Sequence, residues 1–138
     1  MPRVSRRTAI VAGLTVAAAS TLPIKAKAAM YGPDEGEPLE GIEGIRLITL
    51  SERATMIPGF KTAKLLDLVV QPGATFPVTA MDKPMICHLI EGELQITNNG
   101  ETFTAKKNEV WTCNAGGTEG AENTAGEPAV MRVAQLIA

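Results

Sequence analysis

Residues 85–113 read MICHLIEGELQITNNGETFTAKKNEVWTC. Four short runs rich in apolar and β-branched residues, Met85–Ile90, Leu94–Thr97, Glu101–Thr104 and Val110–Cys113, are separated by Glu91-Gly92, by Asn98-Asn99-Gly100 and by a polar stretch. None has a helical period. Asn99-Gly100 is the clearest hairpin turn, because both residues tolerate positive φ. The same texture continues on either side: Arg46–Leu50 and Ala63–Val70 precede Pro72-Gly73, and Gly116-Gly117 and Gly126-Glu127-Pro128 lead to Val130–Ile137. Strands of this length at this spacing predict an all-β sandwich or barrel. A body of this size buries enough surface to need no disulfide.

Towards the N-terminus the pattern stops. Tyr31 to Gly44 holds two prolines, five acidic residues and several glycines but few apolar side chains, so it reads as an extended arm or linker. Before it come Ser5-Arg6-Arg7-Thr8, a mildly apolar run from Ala9 to Leu22, and Lys25-Ala26-Lys27-Ala28. That order is the n-region, h-region and cleavage site of a signal peptide, and the run is too short and too weakly apolar to span a bilayer. Paired Arg6 and Arg7 beside a weak core resemble a twin-arginine signal, with cleavage after Ala28. The expected organisation is a signal peptide over 1–28, an arm over 29–44 and a barrel domain over 45–138. The expected partners of the precursor are the twin-arginine translocase and signal peptidase, and the expected location is the periplasm or beyond.

All acidic residues lie beyond Ala29, whereas five basic residues precede it; the processed chain carries eight basic against fifteen acidic side chains, a net charge of −7. Phosphate backbones and anionic lipid repel such a body, which excludes nucleic-acid binding as an expectation. A small molecule, a metal ion or a second copy of the chain remain open as partners.

From Pro72 to Ala129 the chain resembles a cupin, the double-stranded β-helix or jelly-roll barrel family. The resemblance rests on Pro72-Gly73, on Leu89-Ile90-Glu91-Gly92-Glu93-Leu94, on Asn108-Glu109-Val110 where the family carries a turn, and on Ala115-Gly116, Asn123-Thr124 and Glu127-Pro128-Ala129. In the common metal-binding type, a first motif supplies two histidines and a glutamate and a second supplies a third histidine. Counting from Gly73, Gly92 and Gly116 places Thr79, Met81, Met85 and Glu119 at those four positions. The resemblance thus implies the barrel but not the three-histidine metal site, since thioethers are poor ligands for Fe(II), Mn(II) or Zn(II). The only histidine, His88, stands at none of the four.

Strand alternation carries the reading further. If Met85 points inward, so do Cys87 and Leu89, while Ile86, His88 and Ile90 point outward. Thr79, Met81, Met85, Cys87, Cys113 and Glu119 are then the candidate pocket. Met and buried free Cys are common core fillers, yet an exported pocket with Met81, Met85 and Cys87 also has the soft donors that select Cu(I). Copper is the one cofactor the residues suggest; otherwise none is implied. Cys87 and Cys113, the only cysteines, are free to pair or to remain thiols.

Glu119 and His88 are weak candidates for acid–base work. Glu119 lies in the flexible sequence Gly116-Gly117-Thr118-Glu119-Gly120, which favours a solvated loop carboxylate, and a buried one would have a raised pKa. Trp111 reads as core, or as a ring at the barrel mouth. No catalytic triad, phosphate loop or zinc-type cysteine pair is present. Three functions therefore compete: a non-catalytic small-molecule-binding or accessory protein, a copper protein, and an enzyme with an atypical site.

Overall fold

The computed structural model describes residues 30–138. The expected signal peptide, with Arg6, Arg7 and Ala28, lies outside the described residues.

Among the described residues ten strands follow in order: β1 (Glu37–Pro38), β2 (Ile45–Ala54), β3 (Thr62–Val70), β4 (Thr75–Ala80), β5 (Met85–Glu91), β6 (Glu93–Asn98), β7 (Glu101–Lys106), β8 (Val110–Cys113), β9 (Thr118–Glu122) and β10 (Ala129–Ile137). They form two antiparallel sheets, of order β1-β2-β3-β10-β5-β8 and β4-β9-β6-β7. The architecture is the expected all-β jelly roll. Because alternate residues of each strand face the space between the sheets, the core is built from Ile45, Leu66, Leu89, Leu94, Ile96 and Val133, all nearly or fully buried. Each such side chain contributes about 1.5–3 kcal/mol.

Turn chemistry sets the corners. Asn99 and Gly100 both have positive φ, 49° and 84°, and join β6 to β7 with Asn98 opposite Glu101. Gly92, at φ 79°, packs so tightly that a Cβ there would lie 2.7 Å from the Pro128 carbonyl oxygen. Only glycine fits that close approach.

Besides the two-residue β1, two strands lie where no strand was expected from sequence alone. β4 contains Pro77 and is mostly exposed, and β9 reads Thr-Glu-Gly-Ala-Glu, poor in β-branched residues. Their pairing depends on Gly120. The register shifts between Phe76 and Thr79, and a Cβ on Gly120 would lie 2.9 Å from the Val78 nitrogen. A glycine in mid-strand thus admits the bulge of its neighbour.

Residues 30–44 are not a free linker. β1 pairs with β2, Leu39 and Ile42 pack on the core, and the Tyr31 hydroxyl donates to Asp67 Oδ2 at 2.6 Å. The glycine- and acid-rich composition masked these few apolar anchors. Asp67 is fully buried on β3, and Arg132 of β10, its cross-strand partner, donates to its two oxygens at 2.8 and 3.0 Å.

Candidate functional site

Between the sheets lies a cavity of about 180 Å³. Its wall is aliphatic and thioether in character, with Leu47, Leu68, Phe76, Met81, Met85 and Met131 prominent in it. Among the described residues, Glu119 and Gln135 are the only polar side chains on that wall.

Glu119 is 4% exposed. It is therefore a buried strand residue and not the solvated loop carboxylate that its glycine-rich surroundings favoured. Pairing of β9 with both β4 and β6 explains the difference: Thr79 stands opposite Glu119 on one side and Asn98 on the other, which locks a flexible sequence into the sheet. Trp111 Nε1 donates to Glu119 Oε1 at 2.5 Å, and the Cys87 thiol reaches Oε2 at 3.8 Å. Burial pushes the carboxyl above its ordinary range, and hydrogen bonds from Trp111, Asn98 and Cys87 pull it back in part. The Cys87 thiol is itself pushed strongly up, first by burial and then by Glu119 and Cys113, so it is held as a neutral thiol. Burial, with Glu119 second, also raises Cys113.

The candidate pocket residues divide into groups. Met81, Met85 and Glu119 line the cavity together. Cys87 is fully buried and meets the carboxyl of Glu119. Thr79 is exposed and its hydroxyl donates to the Pro77 carbonyl oxygen at 2.8 Å, so it is not part of the cavity wall. Cys113 instead lines a second, more open groove of about 660 Å³ on the far side of Met85. Met85 and Gln135, cross-strand partners on β5 and β10, line both spaces and form the partition between them.

Both cysteines are free thiols. Register explains why: Cys87 stands opposite Trp111 and Cys113 opposite Met85, so the two are diagonal neighbours. Diagonal pairs are usually about 7–8 Å apart, at or beyond the reach of a disulfide.

His88 alternates to the face opposite Cys87, beside Arg132 and Val110 in the ladder, and is thus separated from Glu119. The two weak acid–base candidates do not form a site together. Trp111 packs edge-on against Phe103, ring centroids 5.7 Å apart, with its N–H turned to Glu119. Sequence reasoning missed that Trp111–Glu119 bond, because β8 and β9 belong to different sheets and no local pattern links them. It also missed Asn123, a fully buried side chain whose amide donates to the Val70 and Glu127 carbonyl oxygens at 2.9 and 2.8 Å and so fixes the connection from β9 to β10. The match of Asn123-Thr124 to the second motif was the available signal.

No protein-family model and no curated protein matches the chain. Among solved structures it is similar to an RmlC-like cupin from Shewanella frigidimarina, at 14% identity over 80% of this chain and 93% of that one, TM-score 0.57. It is also similar to the polyketide cyclase RemF from Streptomyces resistomycificus, at 14% identity over 80% of both chains, TM-score 0.60. The cupin domain of Schizosaccharomyces pombe Cnp3 matches at 18% identity and TM-score 0.57, over 70% of this chain and 66% of that one. At such identities the likeness shows the fold and leaves activity open.

The metal ion that this fold commonly holds does not fit these residues. Of the four positions one is a hydroxyl turned away, two are thioethers, and one is a carboxylate engaged by an indole and a thiol. Among the described residues no group of three or more His, Cys, Asp or Glu is arranged to hold a metal ion.

Proposed function

From a cupin fold whose ligand positions hold Thr79, Met81, Met85 and Glu119, we propose a non-catalytic binding protein, exported by the twin-arginine route, that takes a small and largely apolar molecule into its lumen. One observation carries this reading: a cavity of about 180 Å³ with an apolar wall and a single buried carboxyl. A dry apolar cavity of about 150 Å³ in a protein core already accommodates benzene. The surplus negative charge of the processed chain is consistent with a soluble ligand in place of a polyanion.

The test is thermal unfolding of the processed protein, residues 29–138, with small monocyclic probes such as toluene. Binding to the folded state alone raises Tm with ligand concentration. No shift with any such probe up to its solubility would overturn the reading.

A copper protein is the second reading, favoured by the presence of Met81 and Met85 on one cavity wall with Cys87 at its margin. Cu(I) would have to displace the proton that burial holds on Cys87. Anaerobic titration with Cu(I) tests it: stoichiometric uptake abolished by replacing Met81 and Met85 with leucine supports copper, and uptake unchanged by those replacements refutes the site.

A further inference from the structure

Glu119 is a buried carboxyl for which the described residues supply no cation. Its carboxyl is almost wholly buried, and each oxygen already has a neutral donor, Trp111 Nε1 on one and Cys87 Sγ on the other. Donors aimed at both oxygens suit the ionised, acceptor-only form. What is missing is opposite charge. Among the described residues Glu119 forms no ion pair, and the groups that act on it, Trp111, Asn98 and Cys87, are neutral. Buried carboxylates are ordinarily paired with a cation, because an isolated charge in an apolar surround is costly. This carboxyl lines the lumen, and among the described residues Gln135 is the only other polar side chain on the lumen wall.

Resting on the reading of the lumen as a ligand site, we infer that its ligand is a small hydrophobic amine, whose ammonium group pairs with Glu119 while its apolar body fills the cavity between Leu68, Phe76, Met81 and Met131. The wall supplies shape and the carboxyl supplies the single charged contact. A carboxylate accepts at about four lone-pair sites, so the ammonium adds to the Trp111 and Cys87 bonds without displacing either. The cavity volume limits the body to about one ring. Carboxylic acids and phosphates are disfavoured, since they would bring a second negative charge to a buried carboxyl.

Three probes of nearly equal shape separate the contributions: toluene has the body alone, benzyl alcohol adds a neutral donor, and benzylamine adds an ammonium. Calorimetric titration of the processed protein at neutral pH should give benzylamine an affinity about tenfold or more above benzyl alcohol, reflecting a charge-assisted in place of a neutral hydrogen bond. Glu119→Gln, which keeps the shape and removes the charge, should level the two while toluene binding persists. Equal affinity for benzylamine and benzyl alcohol in the unmutated protein would overturn the amine assignment and leave the lumen reading standing. Failure of all three probes to bind would remove the lumen reading and the amine with it. Should Glu119→Gln not fold, the comparison of probes on the unmutated protein decides alone.

Discussion

The indole N–H of Trp111, on the edge strand β8 of the six-stranded sheet, donates to Oε1 of Glu119 on β9 of the four-stranded sheet. This hydrogen bond, with the Cys87 thiol's contact to Oε2, joins the two sheets beside the lumen, and it orients the only carboxyl that the described residues place on the cavity wall. Phe103 packs edge-on against the same indole and holds it in place.

Trp111→Phe preserves much of the packing and deletes the donor. Glu119 Oε1 is then buried without its partner, which costs about 1–3 kcal/mol. Denaturant unfolding should report this loss, and the Glu119 carboxyl should titrate still higher. An unchanged midpoint would show that the bond contributes nothing to stability.

Glu119 also predicts a pH dependence of stability. In the folded chain its pKa lies above the ordinary 4.5, chiefly because it is buried. Between those two values the folded protein holds a proton that the unfolded chain has released, so this group's contribution falls as pH rises through that window and is level above it. The difference between the stability–pH curves of the unmutated protein and Glu119→Gln should therefore slope downward from about pH 4.5. An upward slope would contradict the burial assigned here.

Arg132→Leu should destabilise the fold by on the order of 3 kcal/mol, because it strands the fully buried Asp67 with only the Tyr31 hydroxyl. The double variant with Asp67→Leu should recover much of that loss, since the uncompensated charge is then gone. Chemical denaturation of both variants checks the pair; equal losses in the two would mean that packing and not charge is at stake.

Met85→Ala should lower stability by about 2–5 kcal/mol through deleted contacts. It should also open the lumen to the outer groove, as Met85 belongs to the wall of both. The faster exchange of a bound probe in this variant, measured by NMR line shapes, would demonstrate the partition; unchanged exchange would refute it.

Replacing Arg6 and Arg7 with lysine should leave the precursor unprocessed in the cytoplasm, and the exported form should begin at Ala29. Normal export of the double variant, followed by fractionation and N-terminal sequencing, would refute the twin-arginine assignment.

The strands with strong alternation were legible from residues alone. Met85, Cys87 and Leu89 are buried while Ile86 is exposed, as a period of two requires, and Asn99-Gly100 turns β6 into β7 through two positive φ angles. These features depend on neighbours one to three residues apart, which any sequence displays. The spacing of Gly73, Gly92 and Gly116 likewise led to Met81, Met85 and Glu119, which share one cavity wall. Other features depended on partners far along the chain. β4 is interrupted by Pro77 and β9 is poor in β-branched residues, and the two pair through the gap at Gly120 with β6 on the other side of β9; residues 30–44 look like a linker until Leu39, Ile42 and Tyr31 find the barrel. The environment of Glu119 belongs to this second kind. A carboxyl in a glycine-rich run is solvated or buried according to what the opposite sheet brings against it, and here Trp111 and Cys87 are brought there by strand order, a property of the packed chain that no local run of residues contains.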